Sequence, residues 1–172
     1  MTPVSEALQV KKSGDLEVVI ARSFDAPRAL VFDAFTKPEL VRRWLLGPPG
    51  WSMPVCDIDL KVGGRYRWVW RNDESRKDMG VSGAFREILP PERIVHDELF
   101  DEDWTGGQTI VTTQFSEASG RTLVTMTVHY SSAAAREAAL GTGMTRGMEQ
   151  SYQRLDEIFA ATPVSRRAQS AA

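Results

Sequence analysis

Asp59-Leu60-Lys61-Val62-Gly63-Gly64-Arg65-Tyr66-Arg67-Trp68-Val69-Trp70 is the stretch that decides the fold. Two glycines divide a strand-like run from a second run that alternates strictly. Tyr66, Trp68 and Trp70 fall on one face, and Arg65, Arg67 and Arg71 on the other. Only a strand has that period of two. Three large rings on one face suit the wall of a cavity as well as a solid core. Gly63-Gly64 reads as a tight turn or bulge rather than a phosphate cradle, because a strand and not a helix follows it.

Outward from this stretch, strands and turns continue in both directions. Candidate strands cover Val55 to Val62, Arg65 to Arg71, Val81 to Ile88, Arg93 to Phe100, Thr109 to Phe115 and Thr122 to Tyr130. Turn chemistry separates them at Asn72-Asp73, Pro90-Pro91, Gly106-Gly107 and Ser119-Gly120. Hairpin after hairpin implies an antiparallel meander. An earlier strand is expected over Leu16 to Phe24. Two short helices follow it, the first capped by Asp25 and the second restarting at Pro38. After Ser131-Ser132 a short helix is expected over Ala133 to Leu140, then a long one over Met144 to Ala161. Its apolar stripe is Met144, Met148, Tyr152, Leu155 and Phe159. The expected fold class is α+β: a seven-stranded curved antiparallel sheet wrapped round a long C-terminal helix, with two short helices after strand one. Residues 15–161 form the expected domain, between flexible tails at 1–14 and 162–172.

Composition narrows the function. A chain of 172 residues, 42% hydrophobic and 26% charged, fits one globular domain. A net charge of -2 argues against a nucleic-acid surface. The single cysteine, Cys56, rules out an internal disulfide framework and fits a reducing compartment. No apolar run is long enough for a membrane helix, and the first 14 residues carry no apolar signal core, so a cytoplasmic protein is expected. Two histidines and one cysteine make a zinc site improbable, and neither metal nor cofactor is expected.

Several motifs, taken in order, carry a resemblance. They are Arg22-Ser23-Phe24-Asp25-Ala26-Pro27, then Val31-Phe32-Asp33-Ala34-Phe35-Thr36-Lys37-Pro38-Glu39, then Arg43-Trp44. Asp59 to Gly64 comes next, then Gly83 to Ile88 running into Pro90-Pro91-Glu92-Arg93-Ile94-Val95. Gly120-Arg121-Thr122-Leu123-Val124 and Gly143-Met144-Thr145-Arg146-Gly147-Met148 close the set. In this order they resemble the START-like (SRPBCC, helix-grip, Bet v-like) superfamily. The nearest branch is the bacterial one similar to the C-terminal domain of the heat-shock-protein ATPase activator. The resemblance implies a cavity between the concave sheet and the long helix. It spans lipid carriers, receptors, polyketide cyclases and co-chaperone domains, so it does not choose among functions. Leu45 and Met148 stand where that branch often carries aromatic residues, which changes the cavity wall.

Chemistry-bearing residues are few. There is no phosphate loop, nucleophile elbow or paired-histidine metal motif. His96 and Glu98 lie two apart on one strand and share a face with Ile94 and Phe100. If that face is apolar and interior, they anchor a polar ligand group or act as a general acid/base pair; if the strand end is wet, they belong to an acidic run with Asp97 and Asp101. A cavity position would bring them into contact and raise the His96 pKa. His129 is out of phase and expected outside.

The remaining candidate lining residues fall into three groups. Trp44 and Trp51 flank Gly47-Pro48-Pro49-Gly50 and either cover a mouth or pack a hinge. Tyr66, Trp68, Trp70, Phe85, Phe115 and Met126 come from strands. Met144, Met148 and Tyr152 come from the long helix, where Met adapts to varied shapes and Gly147 leaves room. The first reading is a non-enzymatic binder of a small, mostly apolar molecule. A cyclase or hydrolase using the same cavity and a chaperone-associated protein-binding domain are the alternatives. A homodimer is expected from an exposed edge strand.

Overall fold

The computed structural model describes residues 7–104 and 106–162. Its sheet is open and antiparallel, with eight strands in the order β1-β2-β8-β7-β6-β5-β4-β3. These are β1 (Gln9–Ser13), β2 (Glu17–Phe24), β3 (Trp51–Ile58), β4 (Arg65–Asn72), β5 (Asp78–Leu89), β6 (Arg93–Phe100), β7 (Thr109–Ala118) and β8 (Arg121–His129). Helices α1 (Arg28–Thr36) and α2 (Pro38–Trp44) follow β2. The chain ends in α3 (Ala133–Leu140) and α4 (Met144–Ala161).

The eighth strand corrects the expected seven, and it comes from the presumed N-terminal tail. Gln9–Ser13 pairs with β2 from Gln9↔Ala21 to Ser13↔Glu17. Residues 1–6 of that tail, and all of the C-terminal one beyond Thr162, lie outside the described residues. β3 starts earlier than expected and stops at Ile58, because Asp59 to Gly64 curls into a turn with Gly63 at φ +83°. There Gly63 N–H donates to the Phe85 carbonyl at 2.8 Å, which closes the sheet end. Pro27, not Asp25, caps α1, without a side-chain hydrogen bond. Ser132 caps α3 by accepting from Ala135 N–H.

A small cluster of Val41, Met53 and Cys56 sits between α2 and β3, and two larger ones fill the rest of the space between sheet and helices. One joins Phe24, Phe32, Trp44, Tyr66, Phe85, Phe115, Tyr152 and Phe159. Edge-on ring contacts hold it: Phe24 lies 5.3 Å from Tyr152 and 5.8 Å from Phe159 between ring centres. The other joins Val18, Ile20, Val111, Val128 and Tyr130 to Ala135 and Ala139 of α3.

An ion pair fastens α4. Arg22 is 3% exposed and projects from β2. Both its terminal nitrogens reach Asp156 at 2.7 Å, and Glu149 lies at 3.4 Å. Its guanidinium also lies 4.9 Å from the Phe24 ring centre.

Gly147 faces the α2–β3 loop, and a side chain there would meet Pro48 at 3.4 Å. Its smallness therefore serves a close approach to that loop, not to the sheet. Gly47 N–H donates to Ser151 Oγ at 2.8 Å beside it.

Candidate functional site

Alternation along β6 puts Ile94, His96, Glu98 and Phe100 on the concave face, as their parity requires. The register sets His96 opposite Phe85 on one side and Val111 on the other, with Glu98 opposite Thr109. On β4, Tyr66 pairs with Gly83 of β5. A Cβ at Gly83 would collide with the Asp97 carbonyl and the Tyr66 ring. Its absence lets the Tyr66 ring cross over β5 and reach β6. Tyr66 O–H then donates to the Asp97 carbonyl at 2.7 Å. His96 Nδ1 lies 3.0 Å from the Tyr66 hydroxyl and 3.1 Å from the same carbonyl. The Tyr66 proton is spent on Asp97, so both neighbours of Nδ1 are acceptors. Nδ1 therefore carries the imidazole proton, an assignment made from the network, and Nε2 presents its lone pair.

This overturns two expectations. His96 and Glu98 share a face but do not bond; His96 bonds to Tyr66 and Asp97 instead. The His96 pKa falls rather than rises, to about 4, because burial penalises the imidazolium more than the Asp97 carbonyl and charge favour it. Burial moves Glu98 the other way, up to about 7. No hydrogen bond or ion pair of the Glu98 carboxyl is formed among the described residues. Burial, and after it the Glu98 charge, pushes Tyr130 up to about 12. The same two causes raise Tyr66. The carboxyl thus acts on the phenols of Tyr66 and Tyr130 on either side of it.

The candidate lining residues divide into packed and half-open groups. Trp44, Tyr66, Phe85, Phe115 and Tyr152 are buried in one cluster. Trp44 is 2% exposed and donates its indole N–H to the Ala34 carbonyl at 2.8 Å, so it packs the hinge instead of covering a mouth. Trp51 is half-buried at the outer end of β3, opposite Asn72. Trp68, Trp70, Glu98, Met126, Met144 and Met148 are half-buried. Trp70 donates its indole N–H to the Leu45 carbonyl at 2.7 Å. Trp68 Nε1 is buried without a hydrogen-bond partner.

Trp104 joins this set and was not anticipated. Its ring lies 4.6 Å from that of Phe100, and its Nε1 is likewise buried and unpaired. It follows the acidic run Asp101-Glu102-Asp103. Only its isolation there as an aromatic residue hinted at an inward role.

Two surface hollows lie elsewhere. One of about 330 Å³ is lined by Arg43, Arg154, Glu157 and Ile158. Another of about 710 Å³ runs along α1 and α2 past Ile58, Leu60 and Pro91. Neither touches a candidate lining residue. His129 is exposed, 3.3 Å from a Glu17 carboxylate oxygen. Cys56 is buried, and burial raises its thiol to about 11, which leaves it a packing residue.

An open antiparallel sheet closed round a C-terminal helix, with polar groups set into an aromatic interior, defines the helix-grip class. The chain belongs to the family described as Activator of Hsp90 ATPase homolog 1-like proteins, whose model matches residues 25–160. A Rhodobacter sphaeroides protein of known structure is 33% identical over 91% of this chain and 100% of its own, with a TM-score of 0.85. A Mycobacterium smegmatis protein is 24% identical over 91% and 99%, with a TM-score of 0.78. An AHSA1-like protein from Aeromonas hydrophila is 20% identical over 80% and 93%, with a TM-score of 0.61. The last two speak to fold alone. No protein with a curated description matches.

Proposed function

We propose that the protein binds a small, mostly apolar molecule carrying a hydrogen-bonding group, held between the concave face and the N-terminal half of α4. The observation that carries this reading is a set of interior polar atoms without protein partners. Trp68 Nε1 and Trp104 Nε1 are buried and unpaired, and the half-buried Glu98 carboxyl, on the same sheet face as Trp68 by register, has no partner among the described residues. An unpaired buried polar group costs on the order of 1–3 kcal/mol, and a ligand that pairs it recovers that cost. The half-buried residues around these atoms are aromatic or methionine, a wall that adapts to its occupant. Binding is favoured over catalysis because proton-transfer chemistry needs convergent groups, and His96 is turned to Tyr66 and Asp97 rather than to Glu98.

The test is titration with Nile red, a neutral apolar dye, followed by fluorescence. Met148 is half-buried and packs against the two larger core clusters. Met148→Trp should weaken dye binding by about tenfold while the circular dichroism spectrum stays unchanged. Gly147→Ala, which faces Pro48, should leave it alone. Wild-type protein that fails to bind the dye, or a Met148→Trp variant that binds as well as wild type, would reject the proposed site.

A further inference from the structure

The charge pattern of the concave face narrows the ligand class, given the ligand-binding reading above. By strand register, the basic side chains on that face among the described residues are Lys12, which is exposed and paired with Glu137 of α3 at 2.8 Å, and Arg22. Arg22 is committed to Asp156 and Glu149 and packed against Phe24 and Tyr152. At the other end stands Glu98, with no cation facing it. Its titratable neighbours are Tyr66 from β4, His96 on its own strand and Tyr130 after β8. From α4, Met144 accepts from Tyr130 O–H at 3.6 Å, and Met148 packs against the two clusters beneath the helix. Asp97 lies on the opposite face, where it bonds Ala84 N–H and pairs with Arg86. Aromatic rings share this end of the face: Tyr66 lies against Trp68 at 4.7 Å, and Phe100, two residues on from Glu98, lies against Trp104 at 4.6 Å.

A carboxylate without a cation among ring faces is chemically the receptor for an ammonium. The carboxylate supplies the counter-charge, and the rings supply cation–π attraction. A fatty acid would set a second carboxylate against the first, with no free arginine or lysine to relieve it. We propose that this site takes a lipophilic amine in its protonated form, with the ammonium against Glu98 and the apolar body along Met144 and Met148, and that it rejects fatty acids. An oxygen on the same molecule would accept from the unpaired Trp68 or Trp104 indole N–H.

Calorimetric titration with decylamine, decanol and decanoate at pH 8, below their micelle concentrations, tests this. Decylamine should bind at least about tenfold tighter than decanoate. Glu98→Gln should reduce that preference to within about threefold while decanol binding is retained. Wild-type protein at pH 5.5 should lose the preference without any substitution, because Glu98 is then protonated while exposed carboxylates stay charged. Decanoate binding as tightly as decylamine, or a preference that survives both Glu98→Gln and pH 5.5, would overturn the amine class. Decanol binding with no amine preference would remove this inference and leave the apolar site standing. Failure of all three probes would remove both.

Discussion

Glu98 and His96 stand two residues apart on β6, and burial moves their proton affinities in opposite directions. For Glu98 the folded pKa of about 7 exceeds the reference value of 4.5. Its contribution to stability is therefore full below about pH 4.5 and is lost as pH rises through 7. For His96 the folded pKa of about 4 lies below 6.5. Its contribution is full above 6.5 and is lost as pH falls toward 4. Between about pH 4.5 and 6.5 the two slopes oppose each other, because folding removes a proton from His96 and adds one to Glu98. Urea denaturation of wild type should therefore change little over that window. Glu98→Gln should gain stability with rising pH, and His96→Asn should lose it, each by up to about 1.4 kcal/mol per pH unit. Variants with parallel slopes would show that the groups do not titrate this way. Gly83 is the other decisive residue. Gly83→Ala would drive a Cβ into the Asp97 carbonyl, which is backbone and cannot swing aside. Equilibrium unfolding should show a loss of about 2 kcal/mol or more.

Among the elements, α4 depends on a contact that periodicity does not reveal. Its apolar stripe places it over the sheet, and Arg22 fixes it there through Asp156 and Glu149. Both carboxylates keep some access to water, so removing the arginine strands less charge than a wholly buried pair would. Arg22→Met should cost about 2–3 kcal/mol, with amide exchange quickening in α4 before it does in β7 and β8. Strands and helices with regular patterns were legible: β6, α3 and α4 occupy the residues that alternation and spacing mark. β1 was not, because Gln9 to Lys12 are all exposed and carry no alternating apolar face; the strand exists only by pairing with β2. β3 was displaced because Pro54 and the register shift between Ser52 and Val55 interrupt its pattern. At the site, parity correctly put His96 and Glu98 on one face, but sequence could not give their partners. Those depend on a missing side chain on β5 letting a ring from β4 cross to β6.

At the scale of the molecule, the open sheet leaves two edges, and each carries a guard against pairing with another chain. β3, at one end, contains Pro54, which offers no N–H, and the bulge beside it bends the edge. β1, at the other, is five residues long and presents Lys11 and Lys12, the latter paired with Glu137 at 2.8 Å. Two copies meeting antiparallel across β1 would bring these lysines together, and like charges on facing strands are destabilising. The exposed edge that suggested a homodimer therefore loses its force as a motive. Light scattering at tens of micromolar should find a species near 19.2 kDa. Replacing the guards, with Lys11→Val and Lys12→Val at one edge or Pro54→Val at the other, should make the apparent mass rise with concentration. A wild-type dimer at the same concentration would show that these guards do not set the assembly. Contact would then run through exposed apolar side chains away from the edges, such as Leu60, Val62 and Leu89 or Leu99 and Leu123.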